Sequence, residues 1–529
     1  MASATRAEID AVAIIDFFDR GRCLDGNATA FLMDGQGWSY DEAYNITCRI
    51  AHSLVDQGLP KETKGAVLAG NHPLAWMCVL GMWRAGLAWV PVNPRSTPEE
   101  NQQLLAAFDA EVLFYQQVFV PVVEAIRANC PKLKLLVCID GYAPGAVSLS
   151  AWKADNPVGP PAVVYDPDDV VAIMPTGGTT GTPKGVMLTH RNLGQSIANA
   201  VINTHYSANE RIVNLAAAPM THSAGFLSMS ASARGGTVVV LTKPDPGALL
   251  DAIEKYHVTE FFLPPTLIYR LLEMPDVAAR DYSSLRYFMY GAAPMSVEKL
   301  KKALAVFGAV MLQGYGQTEA PGSIAFLRPG DHFVGNEIAP DSRLGACGLP
   351  SVLNALAIMD DDGQPLPKGA TGEICVRGDI VMKGYYKQPD KTEETIIKGW
   401  LHTGDIGRLD EDGFLHITDR KRDMIISGGF NVYPSEVEQA LWTHPAVQDC
   451  AVIGVPDETW GEAVKAVVEL NPGARVEAEE LIALCKQKLG SVKAPKSIDF
   501  VQSLPRSAVG KVLKKEIREP YWRAVKRRI

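Results

Sequence analysis

"MPTGGTTGTPKGVMLTH", Met174 to His190, is the stretch whose reading decides how this chain folds. Between Pro175 and Gly185 it holds no large apolar side chain, so it contributes nothing to a core. Gly177, Gly178, Gly181 and Gly185 carry no Cβ, which lets backbone N–H groups converge on a ligand. Thr176, Thr179, Thr180 and Thr182 add hydroxyl donors, and Lys184 adds a point charge suited to phosphate. "DVVAIM" (Asp169 to Met174) and "VMLTH" (Val186 to His190) read as strands on either side. A Gly/Thr/Lys loop between two apolar strands is built like a phosphate grip. By content alone it could equally be a plain hairpin, so the order of its residues has to decide.

Bulk properties set the frame. With 529 residues the chain is too long for one core, and two or more domains are expected. It is 47% hydrophobic and 21% charged, a globular composition. A net charge of −9 argues against a general nucleic-acid binder. From Arg420 onward there are 18 basic and 14 acidic residues, a net of +4 that leaves −13 on the remainder. Nine scattered cysteines without a C-x-x-C pair suggest neither a disulfide framework nor a zinc site, and fit a reducing, cytoplasmic setting. Glu8, Asp10 and Asp16 interrupt the N-terminal stretch, so it does not read as a signal peptide. The longest apolar run, "LAWMCVLGMW" (Leu74 to Trp83), is too short to span a bilayer and predicts a buried helix.

From about residue 40 to 350, strand-like runs alternate with helical patterns: "KGAVLAG", "LLVCID", "GTVVVL", "VTEFFLPP". This predicts α/β architecture with largely parallel sheets. Between 345 and 418 short strands broken by Gly and Pro ("TGEICVRG", "FLHITD") predict a β subdomain, with a barrel as one form. The charged run Asp419–Asp423 marks the expected boundary: an N-terminal domain over 1–421 and a small mobile α+β domain over 422–529. The basic tail beginning at Lys514 reads as a solvated helix face.

The loop is not a Walker A motif, because Thr-Pro separates Gly181 from Lys184. Its order, T-G-G-T-T-G-T-P-K-G, resembles the phosphate loop of the adenylate-forming (AMP-binding) enzymes, with Gly177 where a serine is usual. Gln313-Gly314-Tyr315-Gly316-Gln317-Thr318-Glu319 resembles the same superfamily's Q-G-Y-G-x-T-E block. The resemblance implies that Tyr315 packs on adenine, Thr318 contacts the α-phosphate and Glu319 holds Mg²⁺. Gly291-Ala292-Ala293-Pro294 resembles the turn bordering adenine and the acyl group. Asp405 in "WLHTGD" and Arg420 in "DRKRD" match the residues that contact ribose and phosphate. Arg422 falls at the hinge position, and Gly428-Gly429-Phe430 resembles the loop beside the pantetheine tunnel. Lys511, ending "PRSAVGK", matches the lysine that bridges carboxylate and phosphate during adenylation. Taken singly, Glu319, Asp405 and Lys511 would each read as ordinary surface or turn residues; the order and spacing of the blocks give them meaning. The resemblance covers roughly Gly26 to Lys515 and points to the acyl-CoA synthetase, or fatty-acid–CoA ligase, branch.

"PMTHSAGF" (Pro219 to Phe226) resembles the block lining the acyl pocket, with His222 at a gating position and Ser223, Ala224 and Gly225 beside it. No Asp, Glu, Lys or Arg occurs from Ile212 to Ala233, so a buried substrate ammonium would have no partner there. This argues against amino acids and for an apolar carboxylic acid. A fatty acid of medium or long chain is the first expectation, and an aryl or alicyclic acid the alternative. The implied cofactor and co-substrates are Mg²⁺, ATP and coenzyme A; a homodimer is compatible with these features. Rival classes are a carrier-protein loading ligase, a luciferase-like oxygenase and a non-enzymatic adenylate-binding protein.

Overall fold

The computed structural model describes residues 12–176, 183–207, 209–218, 220–243, 245–506 and 512–523, and leaves aside the side chains of His222, Ser223 and Ser323. Val170–Thr176 and Lys184–Thr189 form an antiparallel pair with Thr176 opposite Lys184, so strands do flank the Gly/Thr loop. Gly177, Gly178, Thr179 and Thr180 lie outside the described residues. Among the described residues this hairpin belongs to an eight-stranded sheet, in which Gly384–Tyr385 pairs on the outer side of Lys184–Thr189. A second, nine-stranded sheet carries Val213–Ala216, Glu260–Leu263, Tyr287–Gly291 and Met311–Gln317 as parallel neighbours. Both are mainly parallel and both have helices packed on them, which is the α/β arrangement expected.

The apolar run becomes the helix Pro73–Arg84, with nearly every residue buried. A helix hydrophobic all round must sit inside a large core. Trp76, Trp83 and Trp89 meet edge to face with centroids 5.4 to 6.0 Å apart. Their core cluster takes in Phe31, Ala216 and Val238 of the nine-stranded sheet and Val67, Phe114 and Ala172 of the eight-stranded one. Arg84, at the end of the helix and 2% exposed, donates both terminal nitrogens to the Asp19 carboxylate at 2.9 and 2.6 Å. Among the described residues no helix is long and apolar enough to cross a membrane.

The 345–418 region forms a five-stranded antiparallel sheet whose strands Ala355–Met359, Gly372–Arg377 and Trp400–Leu409 pair in sequence. Leu415–Arg420 branches from Trp400–Leu409, so the described ladders make an open, branched sheet and not a closed barrel. After Arg420 the chain enters another sheet, built on the long pair Val447–Asp457 and Gly461–Leu470. On the C-terminal helix Lys514–Trp522, Lys515 is exposed as expected of a solvated face, and so is Arg523 just beyond it, but Lys514 departs from that face. Lys514 is half-buried, with its ammonium 2.7 Å from Glu438. Burial alone would push that ammonium's pKa down, but Glu438 and Asp419 outweigh it and hold Lys514 charged.

His190 opens the helix that follows the phosphate-loop hairpin and is 1% exposed. The Ile14 N–H donates to its Nδ1 at 2.9 Å, pinning the first helix (Ile14–Leu24) to the hairpin. Burial pushes the imidazole down to about 4 in spite of nearby Asp169. An unfolded imidazole titrates near ~6.5, so the stability from neutral His190 is complete above that pH. It is lost as pH falls from ~6.5 towards 4, by ~3 kcal/mol in all. Thermal midpoints recorded across this range should decline steeply for the wild type, and His190→Gln should flatten the decline.

Candidate active site

At the end of the strand Tyr287–Gly291, Gly291 lies opposite Gly314 of the parallel strand Met311–Gln317. A Cβ on Gly291 would come 2.4 Å from the Gly314 carbonyl oxygen, so close packing requires glycine there. Ala292 then adopts φ +65°, a left-handed conformation costing a non-glycine residue roughly 1 kcal/mol. Such strain is held only where neighbours over-determine it. Ala293 and Pro294 complete the turn. Met311–Gln317 folds back as a hairpin onto Ala320–Leu327, with Gly316 packed against the Gly322 backbone and Thr318 and Glu319 at the tip.

Three of the sequence candidates meet here. The Tyr315 hydroxyl donates to Asp405 at 2.7 Å, and the Arg420 guanidinium lies 3.5 Å from the same carboxylate. Asp405 and Arg420 are direct partners across the antiparallel strands Trp400–Leu409 and Leu415–Arg420, which explains why residues fifteen apart in sequence coincide. Burial and the Asp405 charge hold the Tyr315 phenol well above its usual pKa, so it remains a donor. A carboxylate accepts about four hydrogen bonds, which leaves Asp405 capacity for further hydroxyl groups.

A second cluster joins Glu319 to the phosphate-loop hairpin. The Tyr385 hydroxyl donates to Glu319 at 2.8 Å, and the Lys184 ammonium lies 5.2 Å from the centre of the Tyr385 ring. The Met382 N–H binds the Glu319 carbonyl, and Tyr385 pairs with Val186. Thr176 and Lys184 face each other at the mouth of the Gly/Thr loop.

The third feature is a narrow apolar pocket on the nine-stranded sheet, lined by Ala216, Ala218, Ala224, Leu227, Phe262 and Met289 with Asn214 among them. Along Glu260–Leu263 and Tyr287–Gly291, Phe261, Leu263, Phe288 and Tyr290 are buried against helices, whereas Phe262 and Met289 are only half-buried. Alternation of this kind marks one face as core and the other as cleft. From the "PMTHSAGF" block, Ala224 forms part of the pocket wall. The Met220 N–H binds Asn71, whose amide also donates to the carbonyls of Ala218 and Leu241. A Cβ on Gly225 would strike the Trp76 ring and the Met220 carbonyl at 2.4 Å, so the block is clamped to the buried helix.

Other candidates stand apart from these clusters. Gly428 and Gly429, at φ +58° and +82°, make the tight turn between Ile425–Ser427 and Phe430–Val432, a geometry that needs no ligand to explain it. Phe430 is exposed on that turn. Arg422 is exposed beside Asp423. The side chains of His222 and Ser223, and Lys511 as a whole, lie outside the described residues.

Residues 18–386 match the family described as "AMP-binding enzyme", and 436–511 match its C-terminal domain. The chain belongs to the AMP-binding enzyme family. It is 38% identical over 501 residues to a feruloyl-CoA synthase of Amycolatopsis sp., covering 94% of this chain and 97% of the relative. It is 36% identical over 477 residues to the medium/long-chain-fatty-acid–CoA ligase FadD8 of Mycobacterium tuberculosis, covering 88% and 82%. Among solved structures it resembles the amide bond synthetase McbA of Marinactinospora thermotolerans, with a TM-score of 0.85, 33% identity, and coverage of 96% and 100%.

Sequence reasoning missed Tyr385 and the groups around Asn214. The doublet "GYY" between lysines was a usable signal for the first, and the lone acid in "VTEFFLPP" for the second, because a charge in a buried strand must be paired. A hydrogen bond to a charged group contributes ~1.5–3 kcal/mol. Tyr385→Phe should therefore slow ATP-dependent pyrophosphate release by about tenfold or more. Tyr386→Phe, which removes a hydroxyl bonded instead to Asp109, should leave that rate unchanged.

Proposed function

We propose that this protein is an ATP-dependent carboxylate–CoA ligase whose acid is of aryl size. It is an AMP-forming enzyme of the acid–thiol ligase class. The observation that carries the choice of acid is the depth of the cleft face. Gly291 marks the reacting end, and Tyr287, four residues back, pairs with Glu260, which pairs with Asn214. Four strand residues span ~13 Å. At the ~1.2 Å per bond of an extended chain, a fatty acid of about sixteen carbons needs ~18 Å. Within that depth an aryl acid is favoured over the long-chain end of the medium- or long-chain fatty acid expected from the sequence.

In the first half-reaction an oxygen of the acid attacks the α-phosphorus of ATP. The bond to pyrophosphate breaks and an acyl adenylate remains. The Gly/Thr loop and Lys184 bind the phosphates, Thr318 bonds the α-phosphate and Tyr315 packs on the adenine. Asp405 accepts from the ribose hydroxyls, and Arg420 faces ribose and phosphate. Glu319 offers a single carboxylate at the hairpin tip, a donor set that suits Mg²⁺, which is held through one or two carboxylates together with substrate phosphates. When bound, the ion supplies charge stabilisation to the phosphate oxygens. In the second half-reaction the coenzyme A sulfur attacks the acyl carbonyl and AMP leaves.

Lys511 is assigned to the first half-reaction and the Gly428–Phe430 turn to the second. The division between domains then falls between Lys421 and Arg422. It is supported by the change of sheet after Arg420 and by the exposure of Arg422, and a swing there would be absorbed by a few dihedrals. A panel of carboxylic acids assayed for pyrophosphate and AMP release tests the reading. Aryl acids should turn over faster than long alkanoates, free amino acids should be inert, and AMP release should depend on coenzyme A. Preference for long alkanoates would overturn the choice of acid. Lys511→Ala should suppress adenylate formation by several orders of magnitude while largely sparing thioester formation from supplied acyl adenylate; equal losses would remove its assigned role.

A further inference from the structure

The far end of the apolar cleft is not apolar. Asn214, 4% exposed, lines it, and its amide nitrogen donates to Glu260 Oε1 at 3.1 Å. Glu260 is 0% exposed, and the groups that meet its carboxylate are distinct. The Arg234 guanidinium lies 3.2 Å from Oε2, and the Tyr206 hydroxyl donates to the same oxygen at 2.9 Å. Arg234 is itself fully engaged. Its Nε donates to the Ser230 carbonyl, its Nη1 to the carbonyl and hydroxyl of Thr204, and its plane lies over the Tyr206 ring. Each member of this network holds the next in place.

The consequence falls on the Asn214 amide. Its nitrogen must face the Glu260 carboxylate, because the reverse orientation would set oxygen against oxygen. The carbonyl Oδ1 is therefore the free end. Among the described residues no side chain or backbone donor is bonded to it, and it opens on the cleft that Asn214 lines. The rest of the wall, which includes Ala216, Ala218, Leu227, Phe262 and Met289, is apolar throughout. A purely structural asparagine would have both ends satisfied, and a pocket meant for a methyl terminus would hold leucine here.

We infer that Asn214 is a specificity-determining residue that accepts a hydrogen bond from a hydroxyl at the distal end of the acid, with Glu260 and Arg234 as its positioning residues. The substrate class is then a hydroxylated aryl carboxylic acid, an inference that rests on the aryl-acid reading above. Lone acceptors of this sort discriminate between substrates because the analogue without the hydroxyl leaves the oxygen unpaired.

The test compares kcat/KM for 4-hydroxycinnamate and cinnamate, read as pyrophosphate release, in the wild type and in Asn214→Leu. The wild type should favour the hydroxylated acid by at least about tenfold, and Asn214→Leu should bring the ratio to about one or below. Because the ratio is taken within one preparation, a reduced folded fraction cancels; Asn214→Ser is a second variant should leucine not be accommodated. Equal use of both acids by the wild type, or a ratio that Asn214→Leu leaves unmoved, overturns the inference while the aryl reading stands. A wild type that turns over alkanoates and neither aryl acid overturns both.

Discussion

The spacing between the two large sheets depends on one helix, Pro73–Arg84, which is apolar on every face and buried between them. Its three-tryptophan cluster fills the volume where the two sheets share a core, and interiors of this density do not yield to small displacements. Trp76 reaches past that core to the Gly225 backbone, so the same side chain that sets the sheet spacing also backs the segment beside the apolar cleft. The cleft has its shape because the helix has its position.

Buried charge does the remaining positioning. Arg84 with Asp19 ties the end of that helix to the first helix. Glu260 with Arg234 stiffens the closed end of the cleft. Lys514 with Glu438 and the neighbouring Asp419 joins the last helix to the strand that carries Arg420. Pairs like these contribute little net stability compared with apolar substitutes, but removing one partner costs several kcal/mol. Each therefore suits a place where geometry matters more than stability: a sheet spacing, a pocket floor and the seat of the last helix.

The residues proposed for the site occupy strand ends, ladder partners and hairpin tips, several of them where a rigid sheet hands over to loops. Gly291 ends its strand beside Gly314, Glu319 stands on a hairpin tip, and Asp405 and Arg420 are partners across one ladder. Register is what converts distance in sequence into proximity here. A slip of one residue would turn Asp405 to the other face of its strand and away from Tyr315.

Much of this was legible in the sequence because it depends on local chemistry. The Gly/Thr/Lys loop, the alternating strand and helix patterns and the apolar run at Leu74 declare themselves through residue type and period, which near neighbours determine. The order of the blocks carried the family for the same reason, since the motif residues act through short loops. What the tertiary structure alone decided was pairing across long separations. The partnership of Tyr385 with Glu319 needs an edge strand added to the phosphate-loop hairpin. The charges absent from Ile212–Ala233 come instead from Arg234 and, through a parallel neighbour, from Glu260. The open branching of the small sheet and the pairing of Lys514 with Glu438 belong to the same class. A sequence states which residue types are present at what spacing. Which buried carboxylate meets which amide is set by strand order and register, and those are free-energy choices of the whole chain.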